Sequence, residues 1–279
     1  MPALTDKAYV ESLLTRHGFS FSKALGQNFL INPSVCPRMA QACGVGPEGT
    51  VLEIGPGIGV LTRELAQRAG RVLAVELDER LRPVLAETLA DCPNVEVIYG
   101  DAMQMDLAAL LREKGAGPAA VCANLPYYIT SPLIMRLLES RLPVQTVTVL
   151  VQKEAADRLC AQPGTRESGA VTLAVAYYAA PEKLFRVSAG SFLPAPKVDS
   201  TAISLHIRPR PPVETDPDKL FAVVRAAFGQ RRKTLCNALQ AGGYDKTAVA
   251  QALRQLSLPA AARAEQLTLA QMAALAAVL

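Results

Sequence analysis

The residues able to do chemistry sit at the ends of apolar runs. In VCANLPYYITSP (121–132) such a run closes on Asn124, Leu125, Pro126, Tyr127 and Tyr128, an amide and two phenols in a chain with only 5% aromatic residues. A strand end of this kind either rims a core or holds a flat ligand. An earlier run, TVLEI (50–54), carries Glu53 and continues as GPGIG, with glycines at 55, 57 and 59 ahead of an amphipathic stretch. Glycines between a strand and a helix let the backbone approach a ligand at the helix N-terminus. Their spacing departs from G-x-G-x-x-G, because position 60 is Val, and no GxxxxGK[ST] is present. Glu76 ends the next run, 21 residues beyond Gly55, where a carboxylate accepts from a ribose diol. Asp101 ends the run after that, in YGDAM, and can accept from the exocyclic amine of an adenine. One acid at a strand end is usually a helix cap; four polar strand ends in register call for a ligand. S-adenosylmethionine fits, having a ribose, an adenine and no need for phosphate-binding cations. Glu53 and the surrounding acids suit its positive sulfonium.

The elements that must position these residues follow from hydrophobic periodicity. Short apolar runs at 50–54, 71–77, 95–100, 119–124 and 144–151 alternate with helical patterns at 60–70, 78–90 and 131–140. That alternation predicts a parallel, Rossmann-like sheet with helices on both faces. Ahead of it, 8–17 and 33–43 read as helices, the second opening on Asn32 as N-cap with Pro33 in the first turn. KALGQNFLINPS between them has no clear period. After the sheet, QKEAADRLCAQ and AVTLAVAYYA read as helices, and KLFRVS and STAISLHI as late strands. RPRPPVETDPD (208–218), with four prolines and five charges, reads as a stiff linker. The expected organisation is an α/β domain over 1–207, with an N-terminal helical segment 1–45, and a small all-helical domain over 219–279.

Composition narrows the partners. Half of the 279 residues are hydrophobic, which excludes a disordered chain, and no apolar run is long enough to span a membrane. The N-terminus mixes acids and bases without a signal-peptide core, so a cytoplasmic protein is expected. Six cysteines without a CxxC pair and two distant histidines argue against zinc and against a disulfide framework. From Asp218 onward there are eight basic and three acidic side chains, although the whole chain is only +4. The basicity sits in the last quarter, which points to a polyanion partner there.

Taken in order, GQNFL (26–30), EIGPGIGVLT (53–62), VELD (75–78), GDA (100–102), NLPYYITSP (124–132), FLPAPKVDS (192–200) and FGQRRKTL (228–235) resemble the bacterial ribosomal RNA adenine dimethyltransferases acting on 16S rRNA. The resemblance runs through nearly the whole chain. One departure is Ser168-Gly169-Ala170, where the family often has a Tyr-Gly pair. It implies class I methyltransferase architecture, S-adenosylmethionine as cofactor and a cofactor map on Gln27, Asn28, Leu30, Gly55, Gly57, Glu76, Asp101, Ala102 and Asn124. It also implies dimethylation of two adjacent adenosines in a 3′-terminal hairpin of 16S rRNA within an assembling small subunit, by a monomer with no metal.

For such a reaction the difficulty is the N6 lone pair, which is delocalised into the purine. The Asn124 side-chain oxygen and the Leu125 carbonyl can accept both N–H groups and free it. Pro126 restricts Leu125 to an extended conformation, and Tyr127 can stack on the base. The base must leave its stack to enter, and Phe192 can cover its other face, unless it is a plug beneath the proline loop. Gln230, Arg231, Arg232 and Lys233, at an expected helix start, are candidates for RNA phosphates, with Lys153 and Lys197 weaker ones. A solvated face is the plain alternative for that charge run. Tyr128 has no assigned part. The competing functions are 23S rRNA dimethylation and a non-catalytic, RNA-binding assembly factor.

Overall fold

The computed structural model describes residues 3–22, 24–115, 117–230 and 232–279. Its strands are β1 (Phe29–Leu30), β2 (Thr50–Ile54), β3 (Arg71–Glu76), β4 (Val95–Tyr99), β5 (Ala119–Asn124), β6 (Thr146–Gln152), β7 (Ala179–Val187), β8 (Phe192–Leu193) and β9 (Ser200–Ile207). Seven form one sheet in the order β4-β3-β2-β5-β6-β9-β7. From β4 to β6 the pairing is parallel, while β9 runs antiparallel to β6, with Thr146 opposite His206. β2, the central portion of β5 and most of β3 are buried throughout, as a sheet covered on both faces requires.

The order reverses between β2 and β5, where chain crossovers leave opposite sides of the sheet. The carboxyl edge beside such a reversal is where open α/β sheets bind ligands. The parallel register brings the strand ends level: Ile54 pairs with Val75, Glu76 with Tyr99, and Asn124 with Leu150.

Several local expectations change. The helix after Pro33 spans Val35–Ala42 and its N-cap is Ser34. Asn32 Oδ1 instead accepts from the Ser34 amide at 3.0 Å and its hydroxyl at 2.9 Å, a turn completed before the helix begins. The patternless KALGQNFL stretch contains β1, which pairs antiparallel with β8: Phe29 faces Leu193 and Leu30 faces Phe192. A helix at Leu107–Lys114, capped by the Asp106 carboxylate, lies between β4 and β5.

The chain divides into two compact units, Met1–Ala156 with Glu182–Ile207, and Asp157–Pro181 with Arg208–Leu279. Residues 157–181 therefore leave the expected 1–207 domain. The helix Ala170–Tyr178 is apolar on nearly every face, and its Tyr177 and Tyr178 rings pack on Phe221 of the helix Pro217–Phe228 at 5.5 and 5.4 Å between centroids. A helix of that composition has to be covered all round. The expected linker also ends early, because Asp216 caps a helix that begins at Pro217. Ser168 falls in this second unit and is fully buried. No described helix is long and apolar enough to cross a membrane.

Candidate active site

A cleft opens at the carboxyl edge of the sheet, within the first unit. It is lined by residues 25–30, 53–58, 75–77, 100–102 and 124–129, together with Val60, Leu61 and Leu81. All of the sequence-derived cofactor candidates lie on this lining: Gln27, Asn28, Leu30, Gly55, Gly57, Glu76, Asp101, Ala102 and Asn124.

The glycine loop is shaped by what approaches it. Gly57 has φ +59°, and a side chain there would meet the Phe29 ring at 3.0 Å. Its amide donates to Glu76 Oε2 at 3.2 Å, while Glu76 Oε1 accepts from the Asp78 amide at 2.8 Å. Glu76 is thus nearly buried with both oxygens anchored, and burial pushes its carboxyl above the ordinary range. Each oxygen keeps lone-pair capacity for a diol. Asp101 Oδ1 accepts from the Met103 amide at 2.8 Å, and Oδ2 has no partner among the described residues. Leu77, 48% exposed, adds an apolar wall beside these acids. In the sequence it is one more residue of an apolar run, and its only signal is its place directly after the candidate acid Glu76 in VELD.

Glu53 departs from its expected part. It is 1% exposed, Oε2 has no hydrogen-bond partner among the described residues, and burial raises its carboxyl to about 8. Burial thus shifts Glu53 toward its neutral form, which weakens the negative charge expected to face a sulfonium. An orphaned acceptor at the floor of the cleft is nevertheless a place for a ligand donor.

Gln27 lines the cleft, but both ends of its amide are engaged. Oε1 accepts from the Ser22 amide at 2.8 Å, and Nε2 donates to Asp78 Oδ2 at 2.7 Å. Its geometry is that of a tie across the loop. Asp78 is also held by Arg80, whose guanidinium keeps that carboxyl below the usual range.

On the opposite wall, Asn124 Nδ2 donates to the Asn28 carbonyl at 3.2 Å, and Oδ1 has no partner among the described residues. The Leu125 amide donates to the Leu150 carbonyl at 3.2 Å, and its side chain is buried. The Tyr127 hydroxyl lies 2.9 Å from Ser200 Oγ of β9, and half-burial raises its phenol. Tyr128 is 54% exposed, so it is no core rim. Phe192 does not take the place expected of a base cover. It is 3% exposed, packs with Leu30 and Val187 in the core, and does not line the cleft. The β1–β8 pairing turns it inward, so the plug reading holds in place of a base cover.

The cationic candidates lie elsewhere. Lys153 opens the helix Lys153–Leu159, and Lys197 is exposed in the loop between β8 and β9. Gln230, Arg232 and Lys233 are exposed in the connection between the helices Pro217–Phe228 and Leu235–Ala241, ahead of the Thr234 cap rather than at a helix start. Arg231 lies outside the described residues. Among the described residues no three His, Cys, Asp or Glu side chains gather as a metal site.

A family model described as ribosomal RNA adenine dimethylase matches residues 18–279. A ribosomal RNA small subunit methyltransferase A from Alkaliphilus metalliredigens is 43% identical, covering 99% of this chain and 97% of its own length. One from Geobacillus thermodenitrificans is 44% identical, with 95% and 93% covered. Among solved structures, a dimethyladenosine transferase from Plasmodium falciparum superposes with a TM-score of 0.70 at 26% identity, covering 88% of this chain and 95% of that one. The 23S rRNA methyltransferase ErmE gives 0.65 at 29% identity, covering 90% and 99%.

Proposed function

This chain belongs to the ribosomal RNA adenine dimethylase family, and from that premise we propose that it methylates N6 of two adjacent adenosines in the 3′-terminal hairpin of 16S rRNA. The product is N6,N6-dimethyladenosine, and the substrate an assembling small ribosomal subunit. The observation that carries the reading is Asn124 on the cleft lining, its amide nitrogen engaged and its oxygen without a partner among the described residues. The full-length relatives named for the small subunit, at 43–44% identity, favour 16S over the 23S alternative.

The cleft suits S-adenosylmethionine. Glu76 would take the ribose hydroxyls and Asp101 Oδ2 the adenine amine, while Gly55 and Gly57 keep side chains out of the way. Bound there, the cofactor supplies a methyl group activated on a sulfonium. The protein's own task is the amine. Asn124 Oδ1 and the Leu125 carbonyl accept its two N–H groups, which draws the nitrogen toward a pyramidal shape and exposes its lone pair. Pro126 limits the conformations of Leu125. Tyr127, fixed by its bond to Ser200, offers a ring face to the base. The proton becomes acidic after transfer and leaves to water, so no carboxylate base is required. Catalysis is then alignment and placed acceptors. Arg232 and Lys233, with Arg231 between them and Gln230, would hold RNA phosphates.

Incubation with labelled S-adenosylmethionine and undermethylated small or large subunits, followed by mapping of modified nucleotides, tests the proposal. Dimethylated adenosines in 16S rRNA are expected. Label confined to 23S rRNA would transfer the function there, and tight binding without label would make the chain a non-catalytic assembly factor.

A further inference from the structure

Tyr128 is an anomaly under the reading above. It is a large side chain, 54% exposed, immediately beyond the residues that would hold the base. Exposed aromatics at the mouth of a cleft invite an RNA-stacking role, but the contact Tyr128 makes points elsewhere. Its ring lies against Gly26, with Cδ1 3.3 Å and Cε1 3.5 Å from the point where a side chain of residue 26 would begin. Gly26 has φ +58°, which glycine adopts without strain, and the Pro126 Cβ closes the same space at 3.8 Å. Position 26 is therefore a bare patch of backbone under a phenol ring.

Gly26 is the first link of a short relay. The Gly26 carbonyl accepts from Asn28 Nδ2 at 2.9 Å, and the Asn28 carbonyl accepts from Asn124 Nδ2 at 3.2 Å. That second bond decides which end of the Asn124 amide faces the cleft. With Nδ2 occupied, Oδ1 is presented as the acceptor; with the Asn28 carbonyl displaced, the amide is free to turn its nitrogen inward. A donor placed against an amine donor would repel it.

We propose that Tyr128 is a positioning residue, which clamps the Gly26–Asn28 segment and so holds Asn124 with its oxygen toward the target amine. The inference rests on the proposed methyl transfer. It assigns the ring of Tyr128, rather than its hydroxyl, because the close atoms are ring carbons. It also separates Tyr128 from Tyr127: one acts through backbone and a neighbouring amide, the other offers a face to the base.

The test is turnover at saturating RNA and cofactor. Tyr128→Ala is expected to lower kcat by about ten- to a hundredfold, the scale of a misplaced reacting group. Tyr128→Phe should restore kcat to near the wild-type value. In an Asn124→Ala background, measured under single-turnover conditions, Tyr128→Ala should cost nothing further, since its effect runs through the missing amide. Thermal midpoints of each variant check that the fold survives. If Tyr128→Ala keeps kcat and raises only the KM for RNA, the ring is a stacking platform and the inference falls. An additional loss in the Asn124→Ala background equal to that in the wild type overturns it as well. A wild-type chain that transfers no methyl overturns the functional reading and this inference together.

Discussion

The two walls of the cleft are built by different rules. The wall from β2, β3 and β4 carries two carboxylates tied to backbone amides: Glu76 to Gly57 and Asp78, Asp101 to Met103. The facing wall is made of 25–30, which runs into the short β1, and of 124–129, the end of β5 and the turn after it, joined by an amide hydrogen bond and a ring contact. The first is organised before any ligand arrives. The second keeps its acceptors unspent, with Asn124 Oδ1 and the Leu125 carbonyl receiving no bond from the described residues. Preorganised carboxylates suit a ligand to be bound; unspent acceptors suit a group to be activated. The two walls should therefore fail differently when damaged, one in affinity and the other in rate.

The largest effect is expected on the loop wall. Asn124→Ala removes the acceptor proposed for the reacting amine, and should lower kcat by about 10²–10³-fold. The Kd for S-adenosylmethionine should rise far less, and the melting curve should keep its midpoint. If kcat stays near wild type, or if Kd carries the whole loss, the division of labour between the walls is wrong.

On the strand wall, Glu53 and Glu76 sit at the ends of neighbouring strands, but only Glu76 has both oxygens tied to amides. Burial lifts Glu53 from 4.5 to about 8. Between those values the folded chain holds a proton that the unfolded chain has lost, so stability falls as pH rises through that window. Glu53→Gln, neutral at every pH, should remove that part of the slope, on the order of a few kcal/mol across the window. Urea midpoints of the two proteins from mildly acid to pH about 9 would measure it. Parallel curves would mean that Glu53 is ionised or solvated in the native state. Asp101→Ala comes next, weakening cofactor binding by about 1–3 kcal/mol through the loss of one charged acceptor. Calorimetry that returns an unchanged Kd would take Asp101 out of the site.

The same contrast explains what could be read from residues alone. Strand ends are legible because apolar runs fix where each strand stops, and parallel register makes those stops level; hence Gly55, Glu76, Asp101 and Asn124 fall on one edge. Loop geometry is not, because it depends on partners distant in the chain. Nothing local in SFLPAPK announces that Phe192 will pair with Leu30 and turn into the core. Nothing in GQNF announces that Gln27 will spend both amide ends on Ser22 and Asp78. The helix Ala170–Tyr178 was visible as a helix, but its unit was not, since its partner Phe221 lies beyond the proline-rich segment. The upward shift of the Glu53 carboxyl is a collective effect of burial, and the sequence around it shows only an acid in an apolar run.

The smallest expected effect asks whether the contrast between binding and rate extends to the second unit. Arg232 and Lys233 are exposed in a connection between helices, where a cation keeps its hydration and gains little from folding. Such residues have two uses: solubility, or contact with a polyanion. Phosphate contact releases counterions, so each lost contact should make the slope of log K for RNA against log salt shallower by about 0.7–0.9. Arg232→Ala with Lys233→Ala is expected to change that slope and to weaken RNA binding evenly across sequences. It should leave both the Kd for S-adenosylmethionine and kcat at saturating RNA untouched, because neither residue lines the cleft. A fall in kcat at saturation would mean that this segment shapes the reacting complex as well as holding the RNA. An unaltered slope would leave the pair as a solvated surface, and the binding role would then have to be carried by other basic residues of the chain.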